Sequence, residues 1–328
     1  MMPIIACLLA AAVPLCGAAQ RSEEMARYQA DLLNLFHTVF HAPTDNERYN
    51  ANEQAVDLFR EALQQEDAAR WQWQLGNEVS TLASPDDRFR LITWAVARDN
   101  GEHECFGFVS VTDDEGLETV YTLHDKSDDI PNPEESVLSS DNWYGSVYQT
   151  IIETKHEGRT YYTLLGWTAV NALTQRKVIE PIVFKGSKGV PQFGQNLFRR
   201  EKNRRRKVLQ YASTAMVNLR YDEQYVRIYH NEKKKGRHGR TYTVQVPKDN
   251  RRKIIIFDEI GPMVQGMEGL FQYYVPTGTE QAYLFDDGKW VLQKYAFGED
   301  PNEALNKEFE PLPKTVPAYQ LTSPKEGQ

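Results

Sequence analysis

Two short runs of cations stand out in a chain with a formal net charge of -8. The first contains Arg199, Arg200, Lys202, Arg204, Arg205, Arg206 and Lys207, and the second contains Lys233, Lys234, Lys235, Arg237 and Arg240. Guanidinium and ammonium groups bind phosphate, sulfate and carboxylate groups. The pattern favours two solvated loops that limit aggregation. Because both runs border strands of one predicted meander, the alternative is a single basic face that contacts an anionic envelope polymer or a membrane surface.

Paired carboxylates could supply acid–base catalysis if two acids faced one cleft. Asp258 and Glu259 are the best-placed pair, at the end of the strand-like run KIIIF. Adjacent strand residues point to opposite faces, so this pair can share a substrate only if a bulge intervenes. The chain also contains no G-x-S-x-G motif. The sequence therefore identifies no catalytic residue.

Three segments have partial metal-ligand spacing. The run Asp125, Ser127, Asp129 copies the start of a calcium loop but lacks its central glycine and terminal glutamate. The segment Glu102–Cys105 alternates between strand faces, and His37 and His41, one helical turn apart, have no third ligand nearby. The sequence predicts no metal and no cofactor.

The N-terminus and the charge balance bear on location and partners. Residues 1–19 form an apolar run ending in small residues, which predicts a signal peptide cut before Gln20, although Lys and Arg are absent from its start. Lipidation at Cys16 is the alternative, but Val13-Pro14-Leu15 fits a lipobox poorly. We expect an exported protein of the periplasm or cell surface, with no later membrane span. The acidic balance argues against a dedicated nucleic-acid binder.

Removal of residues 1–19 leaves Cys105 as the one cysteine, so we expect no intramolecular disulfide in the mature chain. An exported domain of this size must then depend on its packed core.

Hydrophobic periodicity divides the chain into segments. Residues 20–76 predict a helical hairpin, with Thr44 and Glu47 as a capping box for the second helix. Residues 77–297 contain short strand-like runs separated by turns, which predicts an antiparallel β domain: a sandwich, a barrel or a propeller-like fold. Residues 298–328 are rich in Pro and Glu and predict a flexible tail. The predicted fold is mainly β with an N-terminal α-helical hairpin packed against it.

The β domain is organised around the predicted hairpin Tyr161–Phe184. Both faces of its first strand are aromatic or β-branched, so we expect this strand inside a larger assembly, with Trp167 buried. Pro181 cannot donate a ladder hydrogen bond, so an edge or a bulge is expected in the second strand.

Several segments in order along the chain carry a family resemblance: SPDDRFRLITW (Ser84–Trp94), NWYGSVYQTI (Asn142–Ile151), YYTLLGW (Tyr161–Trp167), RKVIEPIVF (Arg176–Phe184) and the closing FDEIGPM, EGLFQYY and DGKWVLQ. Together they resemble an uncharacterised family of exported proteins from Bacteroidetes-type bacteria. The likeness extends from about Trp71 to Phe297 and implies export and a β domain. It transfers no activity and no catalytic residue, and Glu232–Arg240 looks like an insertion relative to it.

These observations favour a non-catalytic binding or structural module of the periplasm or cell envelope. The alternative is a hydrolase acting on envelope or dietary glycans, which would need exposed aromatic side chains such as Trp143, Tyr144 or Tyr274 beside two facing carboxylates.

Overall fold

The computed structural model describes residues 13–294, except 66, 67, 69, 114, 115, 238 and 239. Residues 1–12 of the predicted signal peptide and the predicted tail at 298–328 lie outside this part of the chain. The described residues belong to two compact units. The first contains residues 13–222 and 254–294, and the second contains residues 223–253.

Two helices open the first unit: α1 (Val13–His41) and α2 (Asp45–Ala62). The side chain of Thr44 caps α2 by accepting a hydrogen bond from the Glu47 backbone N–H at 3.3 Å. Its hydroxyl donates to the Glu47 carboxylate at 2.8 Å. The predicted helical hairpin and its cap are therefore confirmed.

Fourteen strands are assigned in the described chain: β1 (Ser80–Ala83), β2 (Phe89–Ala97), β3 (His103–Thr112), β4 (Glu118–His124), β5 (Leu138–Ser139), β6 (Val147–His156), β7 (Arg159–Ala169), β8 (Thr174–Lys185), β9 (Val190–Phe193), β10 (Lys207–Ala212), β11 (Leu219–Lys235), β12 (Thr241–Pro262), β13 (Tyr274–Asp286) and β14 (Lys289–Lys294). They form three sheets with antiparallel ladders. The strand orders are β1-β2-β3-β4, then β5-β9-β8-β7-β6 with β10 also paired to β8, and finally β11-β12-β13-β14. The mainly β prediction is confirmed.

Three apolar clusters show how the first unit is layered. The helical hairpin packs on the first sheet through a cluster that includes Phe36, Phe59 and Trp94. The other face of the first sheet, with Phe89 and Leu91, packs on the second sheet. The second sheet packs on the third through a cluster that includes Leu165, Ile255, Tyr283 and Trp290. Of the predicted alternatives, this stack of sheets follows the sandwich.

The central hairpin is formed by β7 and β8. In β7, Tyr162 and Leu164 belong to one core cluster and Leu165 to another, so both faces of the strand are covered. The expectation that Trp167 is buried is wrong: this residue is only half-buried, and its indole N–H donates to Gln175 Oε1 at 2.7 Å. This polar partner lies beside the turn that joins β7 to β8, where the ring stays partly accessible.

Pro181 lies in an interior strand rather than at an edge, because β8 has β7 on one side and β9 and β10 on the other. On that second side, β10 pairs with residues up to Ile179, and β9 pairs from Ile182 onward. Pro181 occupies the gap between these two ladders, where a missing N–H costs no strand pairing. The Pro181 carbonyl still accepts a hydrogen bond from Gly194 N at 2.8 Å.

Candidate functional site

The first basic run lies in the first unit, and most of its arginines are already paired. Arg199 contacts Asp286 at 3.2 Å and Asp287 at 3.1 Å. Arg204 forms ion pairs with Glu134 and Glu201. Neighbouring carboxylates thus offset much of the positive charge that the sequence places here.

The prediction that Arg206 belongs to a basic surface is wrong, because its side chain is 0% exposed and lies in the core. Its Nε donates to Glu180, which is also 0% exposed. The same guanidinium donates to the carbonyl of Pro133 and, at 3.0 Å, to the carbonyl of Ser136. Two charges this deeply buried need such partners, because an unpaired buried charge is strongly unfavourable.

Aromatic side chains complete this buried network. Tyr148 donates to the second oxygen of Glu180, and the Trp143 indole N–H donates to the Tyr148 hydroxyl at 2.9 Å. Burial, and then the Glu180 charge, raise the pKa of Tyr148 well above its usual value. The Tyr144 ring lies 5.8 Å from the Arg206 guanidinium, within cation–π range. Arg206 therefore holds the core together and cannot contact a partner at the surface.

The two remaining arginines of this run differ in exposure. Arg200 is exposed and has a positive φ of 64°. Arg205 is half-buried, and its backbone N–H donates to the Glu134 carbonyl at 2.6 Å. Arg200 is thus the more accessible of the two cations.

The second basic run lies in the second unit, which is a two-stranded arm formed by residues 223–253. Lys233, Lys234, Lys235, Arg237 and Arg240 are all exposed. The turn is closed by a hydrogen bond from Gly236 N to Arg240 O at 2.8 Å. Residues of this run therefore keep their charges available to a partner.

The arm is far more basic than its lysine run alone suggests. Residues 223–253 contain ten Lys and Arg against three Asp and Glu, a formal net charge of +7. The rest of the chain accordingly carries -15. Such separation of charge within one chain produces a local positive potential that attracts polyanions.

Two side-chain contacts lie at the base of the arm. Arg251 is 3.4 Å from the Glu223 carboxylate, and its guanidinium lies 5.6 Å from the centre of the Tyr225 ring. At the other end, consecutive strand residues alternate in direction, so Lys233 and Lys235 share one face and Lys234 lies on the other. The arm thus presents cations on both faces.

The catalytic candidates have structural partners. A bulge does lie between Asp258 and Ile260. Asp258 is nevertheless only 7% exposed and accepts a hydrogen bond from Asn218 N at 2.7 Å. Glu259 accepts from Gln281 Nε2 at 2.9 Å. These bonds give both carboxylates a role in holding strands together.

A glycan-cleaving groove would need exposed aromatic side chains, but the three candidate aromatic residues are buried or half-buried. Trp143 is 0% exposed and Tyr144 is 5% exposed, and both belong to the core between the first and second sheets. Tyr274 is half-buried beside Phe271, with ring centres 5.2 Å apart. The geometry therefore lends no support to the hydrolase alternative.

The segment with partial calcium-loop spacing has a structural use. Asp125 accepts backbone hydrogen bonds from Cys105 at 2.9 Å, Ser127 at 2.9 Å and Gly145 at 3.2 Å. Cys105 is buried, and burial raises the pKa of its thiol to about 12. Among the residues that the structure describes, no three His, Cys, Asp or Glu side chains are grouped to hold a metal ion.

His37 and His41 are exposed on α1, with their rings stacked 4.8 Å apart. The ring of His41 also lies within hydrogen-bond distance, 3.0 Å, of the His37 carbonyl. They are neighbours on a helix surface.

Sequence reasoning missed Glu180 and the full extent of the basic arm. A signal for Glu180 was present, since it is a single acid inside the apolar run VIEPIVF. For the arm, the signal was the further cations Arg227, Lys248, Arg251, Arg252 and Lys253 on either side of the lysine run.

Comparison with known proteins found no matching family model, no matching curated protein and no matching solved structure. Within the described residues, no helix has both the length and the apolar character needed to cross a bilayer.

Proposed function

We propose that this protein is a non-catalytic binding module of the cell envelope whose arm, residues 223–253, engages an anionic polymer. The observation that carries the proposal is the net charge of +7 on this arm, within a chain of -8. The exposed lysines Lys233–Lys235 form the contact surface. Phosphate, sulfate or carboxylate groups repeated along a polymer would bind them with release of counterions.

A polymer fits the arm better than a flat surface does. Cations on both faces of a strand can be contacted together by a chain that wraps around the arm. A planar bilayer meets only one face at a time, although basic segments do bind anionic lipids. Binding to a membrane surface is therefore the competing outcome that the experiment must separate.

The envelope location rests on different support. Residues 1–19 have the composition of a signal peptide, and the resemblance to exported proteins implies the same compartment. The predicted cut before Gln20 falls within α1, so processing would shorten that helix.

The test uses heparin as a model polyanion. Wild-type protein is expected to be retained on heparin and to elute with salt, because exposed charges are screened within about 8–10 Å at moderate ionic strength. The variant K233Q/K234Q/K235Q should elute at clearly lower salt.

A control with the same net charge separates position from total charge. Lys126, Lys185 and Lys188 are exposed residues of the first unit, so K126Q/K185Q/K188Q also removes three positive charges. It is expected to elute like wild type. Equal losses in both variants would reject a specific role for the arm. Binding to anionic vesicles without any retention on heparin would favour a membrane surface over a polymer.

A further inference from the structure

A second feature, separate from the basic arm, is a cleft of about 570 Å³ within the first unit. Its volume is within the range of sites that bind small organic molecules. The apolar part of its lining comes from Tyr161, Ile182, Val183, Phe184 and Leu197. The central hairpin of β7 and β8 supplies most of these residues, so the cleft is built on rigid strands.

The charged groups that line this cleft are Arg88, Arg159 and Lys289, with no carboxylate in the lining. Arg88 and Arg159 are both exposed and form no ion pair with any carboxylate of the described residues. The Arg88 guanidinium lies 5.7 Å from the centre of the Phe184 ring, and Lys289 donates to the Asn196 carbonyl. Cations therefore converge on the cleft without being neutralised there.

Two carboxylates that lie two positions from these cations in the sequence are already engaged. Asp86 accepts from the Tyr162 hydroxyl at 2.5 Å and from Ser84 Oγ at 2.8 Å. Asp287 contacts Arg199 at 3.1 Å. Arg48, Arg98, Arg199 and Arg204 of the same unit form ion pairs with acids, whereas Arg88 and Arg159 form none with a described carboxylate.

We infer that this cleft binds a sugar acid, a hydroxylated ring bearing a carboxylate. The carboxylate would bind Arg88 and Arg159, since a guanidinium can bind a carboxylate through two parallel hydrogen bonds. Thr160 and Gln195 also line the cleft and offer hydroxyl and amide partners for ring hydroxyls. The apolar faces of the ring would pack on the apolar side chains that line the cleft.

The experiment measures binding of trigalacturonate to the full chain by isothermal titration calorimetry at low salt. The matched neutral ligand is maltotriose, and inorganic sulfate tests for a simple anion site. Trigalacturonate is expected to bind at least tenfold more tightly than either. Equal binding of maltotriose, or equal binding of sulfate, would overturn the sugar-acid assignment.

Variants locate the site. R88Q/R159Q is expected to weaken trigalacturonate binding at least tenfold, whereas R27Q/R60Q, which alters two arginines on the helices, should leave it unchanged. T160E adds a carboxylate to the lining without removing a cation and should also abolish binding. Unaltered affinity in a folded R88Q/R159Q or T160E variant would place the ligand elsewhere. Because the proposed polymer-binding arm would also attract this polyanion, the comparison is repeated in the K233Q/K234Q/K235Q background, where R88Q/R159Q should still weaken trigalacturonate binding at least tenfold; that result separates the cleft from the arm.

Discussion

The buried ion pair of Arg206 and Glu180 allows a sharp test of the fold. Replacing Arg206 by Met removes the charge but keeps a long side chain. Glu180, which is 0% exposed, would keep only its hydrogen bond from Tyr148. Leaving one partner of a buried pair without the other costs about 3–5 kcal/mol.

The Met substitution also removes hydrogen bonds to two carbonyl groups, those of Pro133 and Ser136. Both bonds are partly buried and come from a charged donor, and such hydrogen bonds contribute about 1.5–3 kcal/mol each. R206M is therefore expected to be more destabilising than E180L, since the guanidinium left behind in E180L retains both carbonyl acceptors. Removing both charges in E180L/R206M should restore at least about 2 kcal/mol relative to R206M alone, within the usual range of coupling between contacting residues.

Urea denaturation followed by circular dichroism measures these free energies of unfolding. The control is R27M, because the Arg27–Glu23 pair is exposed and such pairs contribute less than about 1 kcal/mol. If R206M is unfolded in buffer, the folded double variant still decides the question. A loss below about 1 kcal/mol in R206M, similar to R27M, would refute the buried network and return Arg206 to the surface.

Three further outcomes follow from the same structure. The Cys105 thiol of the mature chain, with a pKa raised to about 12 by burial, should react with a thiol reagent at pH 8 only after unfolding; rapid reaction in the native state would contradict its burial. Trp94→Ala should cost about 3–5 kcal/mol because this fully buried ring joins the first sheet to α2 through Asn52, whereas Trp167→Ala should cost less than about 2 kcal/mol, by urea denaturation. Mass spectrometry of the protein secreted by its host should give an N-terminus at Gln20, and a retained Met1 would reject the predicted cleavage.

The sequence predicted those parts of the fold that depend on local pattern. Aromatic and β-branched residues on both faces of Tyr161–Val170 indicated a doubly covered strand, and β7 has that environment. The capping box of Thr44 and Glu47 likewise marked the start of the second helix. Such signals lie within a few residues of one another, so no knowledge of the tertiary structure is needed to interpret them.

The sequence could not predict which charged side chains are buried, because their partners lie far away along the chain. Arg206 lies in a run of cations and has the sequence context of a surface residue. Its partner Glu180 is 26 residues away, and the carbonyl of Pro133 is 73 residues away. Pro181 was similarly misplaced because its gap exists only where two separate strands share one side of β8.

The arm was predicted as several short strands rather than two long ones. Its segment from Glu232 to Arg240 is dominated by Lys, Arg and Gly, which are depleted or neutral in strands. The continuous strands β11 and β12 are 17 and 22 residues long. The length of these strands is set by the hydrogen bonds between the two halves of the hairpin. It therefore cannot be predicted from the strand propensity of either half alone.

The most direct test of the proposed function is the salt dependence of heparin binding. The dissociation constant of a fluorescent heparin fragment would be measured by anisotropy between about 50 and 200 mM salt, the range in which polyanion binding changes steeply. The slope of log K against log salt is expected to be smaller by about 2–3 for K233Q/K234Q/K235Q than for wild type, since each released counterion contributes roughly one to the slope. The control K126Q/K185Q/K188Q should retain the wild-type slope. Identical slopes for wild type and the arm variant would contradict the proposal that the arm binds the polymer.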